Sequence, residues 1–223
     1  MYRKVLLNMT TEDRQHLDAI QDIRNMMRKS TRFLSLSGLS GVFAGIFALI
    51  GAAAAFFYLE FIRKHNPFTG DGKVYFTSNE VYLNFILIAG SVLVLSVLTA
   101  YYFSNKKARK QGLSLFDHTA LRALVNLCVP LAAGGIFCIA LLYHGTVVYI
   151  APAMLLFYGM ALINASKYTY NDIRYFGICE IVLGLINAFN LGNGLLYWTI
   201  GFGVLHIAYG ASMWFKYERK GNS

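Results

Sequence analysis

Six apolar runs, each long enough to cross a bilayer, constrain this chain more than any other feature, because they fix its solvent. They read Phe33 to Leu59, Val81 to Phe103, Ala123 to Tyr143, Val147 to Ile163, Tyr175 to Leu191 and Leu195 to Phe215. A spanning helix needs about 20 mostly apolar residues, with a lower limit of roughly 17. The pattern predicts an all-α integral membrane protein, a six-transmembrane-helix bundle over residues 33–216. An N-terminal cytoplasmic or interfacial helix precedes it in residues 1–32, and a short cytoplasmic tail, 217–223, follows.

The cations give the orientation. Of the 20 Lys and Arg residues, only Arg63, Lys64 and Lys73 fall on one side of a six-span chain, all in one loop. The rest flank the N-terminus, the second and fourth links (Lys106, Lys107, Arg109, Lys110, Arg122; Lys167, Arg174) and the tail (Lys216, Arg219, Lys220). Short cytoplasmic loops concentrate Lys and Arg, so both termini are expected in the cytoplasm. The net charge of +9 is then accounted for by membrane anchoring and attraction to anionic lipid. Nucleic acid is not an expected partner: the cations flank apolar runs and form no groove with interleaved aromatics. Tyr101, Tyr102, Tyr143, Tyr168, Tyr170, Tyr197, Trp198, Trp214 and Tyr217 cluster at span ends, as interfacial rings do.

Cys128, Cys138 and Cys179 all fall within spans, without CxxC or Cys/His ligand spacing, and read as small packing residues. No metal and no cofactor is expected. A bis-histidine haem needs two imidazoles facing each other in the bundle, yet His118 and His144 belong to opposite faces and only His206 is central. HExxH, GxSxG and Walker A patterns do not occur.

Two segments lie outside the spans. In Thr10 to Arg32, Leu17, Ile20, Ile23 and Met27 recur at helical steps behind a Thr10/Asp13 start. That stripe suits a membrane surface, the underside of the bundle or a second protein. In Arg63 to Glu80, the turn residues Asn66, Pro67, Gly70, Asp71 and Gly72 precede a short strand, Lys73 to Thr77, predicting a small external hairpin. Neither is large enough for an enzyme domain.

Within the membrane the small and polar residues are informative. Gly38, Gly41 and Gly45 share one broad face of span one with Ala48, Ala52 and Ala55. Without a hydrophobic force between helices in lipid, close backbone approach through small residues is how spans pack. The same spacing returns with a polar centre: Gly177, Glu180 and Gly184 in span five, Gly203, His206 and Gly210 in span six. Folding the last hairpin near Leu191 and Gly192 sets Glu180 level with Gly203, with His206 one turn away, ~5 Å along the axis. An ionisable residue at that depth costs roughly 2.5–3.5 kcal/mol on insertion scales and normally pairs inside the bundle. A Glu180–His206 hydrogen bond, joined by Asn187, is expected. Thr199, Asn126 and Asn164 are further candidates for a polar cavity binding a small ligand or a proton. Asp117, His118, Lys167, Asp172, Arg174, Glu218 and Arg219 form a candidate cytoplasmic salt-bridge network.

The stretches Ser30-Thr31-Arg32-Phe33-Leu34-Ser35-Leu36-Ser37-Gly38-Leu39-Ser40-Gly41, Asn164-Ala165-Ser166-Lys167-Tyr168-Thr169, Asn171-Asp172-Ile173-Arg174-Tyr175 and Cys179-Glu180 carry a likeness. Over nearly its whole length the chain resembles an uncharacterised family of small six-span bacterial membrane proteins. Its last two spans are similar to acid-resistance-type six-span proteins. The first resemblance implies an inner-membrane, multi-pass architecture and no activity, and no residue role is carried across from the second.

The expected function is non-enzymatic: small-ligand or proton-linked transport, or sensing, built around Glu180 and His206. The rival is a structural or regulatory subunit whose N-terminal helix binds a membrane partner or a second copy. A membrane redox or lipid-modifying enzyme is the third class.

Overall fold

The computed structural model describes residues 20, 36–65, 79–110, 112 and 118–219. The expected N-terminal helix, apart from Ile20, and the external hairpin lie outside the described residues. Long helices make up the rest: α1 (Gly38–His65), α2 (Asn79–Lys110), α3 (His118–Tyr143), α4 (Ile150–Ala165), α5 (Asp172–Phe189) and α6 (Leu191–Glu218). A 3₁₀ turn, Val147–Tyr149, leads into α4. No strand occurs among the described residues. All but α5 are long and apolar enough to cross a membrane. α5 has 18 residues and carries Asp172, Arg174 and Glu180.

α6 is not one regular rod. Gly194–Trp198 is α-helical, Thr199–Leu205 widens into π-helix, His206–Met213 returns to α, and Trp214–Glu218 widens again. Such insertions are rare and concentrate at functional sites. The turn from α3 to α4 is tightly closed. Gly145 adopts φ 71°, its N–H donates to Leu142 O at 3.1 Å, and Thr146 N–H donates to Leu141 O at 2.9 Å. These two bonds make a Schellman cap, satisfying carbonyls that the helix end would leave bare.

The outer surface is apolar. Leu87, Leu93, Val94 and Leu98 of α2 and Val129, Ile136 and Ile139 of α3 are all exposed. Contiguous apolar surface on this scale fits lipid or protein contact and not water. Cys128 and Cys179 also face outward, with Cys138 intermediate, so the expectation that these thiols are small packing residues is corrected for the first two. In lipid a thiol loses nothing by facing the acyl chains.

Packing runs in a row. α1 lies between α2 and α6, α6 meets α4, and α4 carries α5 and α3 on its other sides. Glycines make the tightest joints. A Cβ built on Gly38 would lie 2.4 Å from Trp214 N, one on Gly45 2.6 Å from Gly203 O, and one on Gly210 2.5 Å from Val42 N. A Cβ on Gly41 would lie 3.1 Å from Gly210 Cα, and one on Gly203 would strike the Leu49 side chain. The two glycine-spaced faces of α1 and α6 thus lie backbone to backbone in antiparallel sense. Between α4 and α5, Gly177 and Gly159 face each other's carbonyls, and Gly184 receives Leu155 and Leu156. Dispersion across these joints drives association where hydrophobic burial cannot.

Candidate functional site

Glu180 sits at the middle of α5 with no exposed surface. It has room because Gly201 opposite has no side chain: a Cβ there would meet Glu180 Oε2 at 2.6 Å and Leu155 Cδ2 at 2.4 Å. The hairpin therefore sets Glu180 against Gly201, two residues from the Gly203 level expected from loop length. Both carboxyl oxygens lack a hydrogen-bond partner among the described residues.

His206 is enclosed as well, but its ring is fully employed. Nδ1 lies 3.1 Å from Gly201 O, and the Tyr158 hydroxyl lies 2.7 Å from Nε2. A carbonyl only accepts, so in the neutral imidazole Nδ1–H donates to Gly201 and Nε2 accepts from Tyr158. The widened turn at Thr199–Leu205 brings that carbonyl, five residues upstream, within reach of the ring. Three aromatic rings hold the imidazole: Tyr158 stacked at 5.2 Å, Phe202 at 5.8 Å and Phe176 edge-on at 4.8 Å.

The expected Glu180–His206 hydrogen bond is consequently not made. Nδ1 and Glu180 Oε1 stand 4.0 Å apart, beyond hydrogen-bonding reach, because the imidazole proton is directed at Gly201. Asn187 is fully buried, and neither of its side-chain polar atoms has a partner among the described residues. It lies seven residues from Glu180, two turns or ~10 Å along α5, and does not join the pair.

The remaining candidates are engaged elsewhere. Thr199 donates to Leu195 O at 2.6 Å within its own helix. Asn126 and Asn164 belong to a repair around Pro130, in the interior of α3. Proline has no N–H, so the carbonyl four residues earlier, that of Asn126, loses its helical donor. Asn164 Nδ2 on α4 donates to that carbonyl at 2.9 Å, while Asn126 Nδ2 turns back to Arg122 O at 2.8 Å. Asn164 thus serves the α3–α4 joint, while the Asn126 side chain bonds within its own helix.

At the basic end of the bundle two polar clusters tie helix ends together. Glu218 accepts from Gly38 N–H at 2.7 Å and from Ser37 Oγ at 3.2 Å, and pairs with Lys107 at 3.2 Å. A carboxylate there complements the N-terminal dipole of α1. Lys107 also donates to Leu36 O at 2.7 Å. Burial, with Glu218 and Tyr217 nearby, pushes the Tyr170 hydroxyl up to about 12. In the second cluster Asp172 accepts from Lys216 at 2.8 Å and from Tyr217 at 2.8 Å. Burial alone would raise the Asp172 carboxyl, but these two donors together hold it below the usual carboxylate range. The expected network is thus re-paired: Lys107 and Lys216 supply its cations, and Lys167 reaches Asn164.

An apolar crevice of about 380 Å³ opens at the opposite end, among α1, α2, the α3–α4 turn and the start of α6. Met154, next to Leu155, and Trp198, three residues before Gly201, line it near the level where Glu180 sits. Among the described residues, no three His, Cys, Asp or Glu side chains gather as a metal site.

Tyr158, Phe176, Phe202, Gly201 and Tyr209 escape the reading of sequence alone. One signal was available for the tyrosines: Tyr158 and Tyr209 sit inside apolar runs and not at their ends, so each hydroxyl needs a partner in the bundle. Compared with family models, curated proteins and solved structures, the chain matches none.

Proposed function

We propose that this chain is a six-span inner-membrane protein with both termini in the cytoplasm, working as a proton-responsive centre for transport or sensing through Glu180. The six-span topology follows from the asymmetry of Lys and Arg, with α5 as the sixth crossing between the two basic links. The inner-membrane placement rests on the likeness to small six-span bacterial membrane proteins. One observation carries the functional reading: a fully enclosed carboxyl whose oxygens have no hydrogen-bond partner among the described residues, 4.0 Å from an imidazole. A clasp between helices would gain on average only ~0.6 kcal/mol from a hydrogen bond, and here Glu180 makes none. Burying a polar group without a partner costs roughly 1–3 kcal/mol in proteins. A carboxyl that adds no bond and carries that cost is suited to exchanging a proton or meeting a polar ligand.

The test is infrared difference spectroscopy of the protein in nanodiscs as pH is varied. A carboxyl band that responds reversibly to pH, vanishes in Glu180→Gln and shifts in His206→Ala supports the reading. A Glu180 band constant over the whole range in which the protein stays folded overturns it.

The second reading is a structural or regulatory subunit, favoured by the apolar faces that α2 and α3 leave uncovered. A partner retained at fixed stoichiometry through purification would support that role.

A further inference from the structure

Titratable side chains extend from Glu180 toward the Asp172 end of the bundle, while Asn187, two turns the other way along α5, is a buried amide with no proton to give. Tyr158 bonds to His206, and Tyr209 follows His206 by three residues, on the same side of α6. Phe176 touches both, edge-on to His206 at 4.8 Å and stacked on Tyr209 at 4.8 Å. The Tyr209 hydroxyl is buried and has no partner among the described residues. Tyr158, Tyr209 and Tyr170 all pack around the same Leu162, Ile173 and Phe176 cluster. Tyr170 in turn lies 4.3 Å, ring to ring, from Tyr217, whose hydroxyl donates to the partly exposed Asp172. The crevice at the other end is lined almost entirely by apolar side chains.

We infer that Glu180 takes its proton from the end of the bundle that carries Asp172, by way of Tyr209, Tyr158 and His206. The inference rests on the reading of Glu180 as a proton-responsive centre and adds the route. A hydroxyl both donates and accepts, so each tyrosine hands on one proton as it receives another and carries no net charge. Tyr158 passes its proton to His206 Nε2 while its oxygen accepts one from the Tyr209 side through a bridging water. Nδ1 then releases its proton from Gly201 O to the ionised Glu180 carboxylate. One proton has moved, the carboxylate has become a carboxylic acid, and the imidazole is left neutral with its proton on Nε2. The first tautomer returns when Glu180 gives its proton back to Nδ1 and Nε2 returns its own to Tyr158, the same transfers in reverse.

The titratable groups facing this route are Tyr158 from α4, Glu180 and Asp172 from α5, Tyr209, Lys216, Tyr217 and Glu218 from α6, Tyr170 from the α4–α5 link, and Lys107 from α2, which reaches the Tyr170 hydroxyl at 3.4 Å. α1, packed on this part of α6, has no titratable side chain between Gly38 and Phe57.

The experiment uses the full chain in vesicles in a single orientation, with a pH step imposed on either side while the Glu180 carboxyl band is followed in time. The expected result is a fast response to a step at the Asp172 end only. Tyr209→Phe, which keeps the ring stacked on Phe176, should abolish the fast phase while leaving the final band amplitude intact, and Tyr217→Phe should slow it. The unchanged amplitude certifies that the variants are folded. An equally fast response from the opposite side, or an unaltered fast phase in Tyr209→Phe, refutes the route while leaving Glu180 as the centre. A band that never responds from either side removes both the centre and the route.

Discussion

The repair around Pro130 lends itself to a quantitative test. Asn164 Nδ2 lies 2.9 Å from the Asn126 carbonyl that Pro130 deprives of its helical donor. Asn164→Ala leaves that carbonyl bare in the α3–α4 joint. An unsatisfied buried acceptor costs about 1–3 kcal/mol; interhelical bonds in membranes reach at most ~1.7 kcal/mol when alternatives exist. Between these limits, a loss of about 1–2 kcal/mol is expected. Pro130→Ala restores an N–H four residues on and should be near neutral alone, since a carbonyl accepts two bonds. In the Pro130→Ala background Asn164→Ala should cost little, giving a coupling of about 1 kcal/mol. The 3.3 Å contact of Lys167 with Asn164 Oδ1 is lost in both backgrounds and cancels. Reversible unfolding in mixed detergent micelles would supply the four stabilities. Were Asn164→Ala equally costly with Ala at 130, within about 0.5 kcal/mol, the repair would be wrong.

Other expectations follow from the same geometry. Gly210→Ala and Gly45→Ala, whose Cβ atoms would strike backbone across the α1–α6 joint, should each lose about 1–3 kcal/mol. Gly90→Ala and Gly135→Ala, which meet open space, should not, and thermal unfolding compares them. Glu218→Ala removes the cap of α1 and leaves Lys107, 12% exposed, without its anion, so it should destabilise more than Lys216→Ala, whose side chain is 57% exposed. Equal losses in a detergent melt would contradict that ranking. For Asp172 the folded pKa is depressed by Lys216 and Tyr217. Its contribution is therefore present above the unfolded carboxylate pKa and is lost as pH falls through the lower folded value. Asp172→Asn should flatten the acid limb of the stability–pH curve, and an unaltered limb would count against the pairing.

The sequence made the joints readable and left the site half-hidden, for physical reasons. Spacing alone places Gly38, Gly41 and Gly45, or Gly203 and Gly210, on one helical face, and a close joint needs little more than that face and a partner. Helix count and basic asymmetry are likewise local properties of composition. The Glu180 depth was legible to within two residues because a short hairpin fixes the register of α5 against α6. What His206 bonds to was not, since Tyr158 lies 48 positions away and the relevant carbonyl is exposed by a widened turn that no propensity announces. Asn126 misled because a polar residue in a span reads as functional. The Pro130 relation, four residues on, was already in the sequence, but its donor, Asn164, is supplied by another helix.

The two broadened stretches of α6 decide which side chains the rest of that helix presents to its neighbours. Each residue of an α-helix advances the azimuth by about 100°, so tightening Thr199–Leu205 to regular pitch would swing everything downstream by nearly one position. Leu205 or Ile207 would then turn toward Tyr158 where His206 now stands, while α1 would face a different strip of side chains. The screw can slip by a single thread, and that slip alone would couple the grip between the first and last helices to whether an imidazole or a hydrocarbon confronts Glu180.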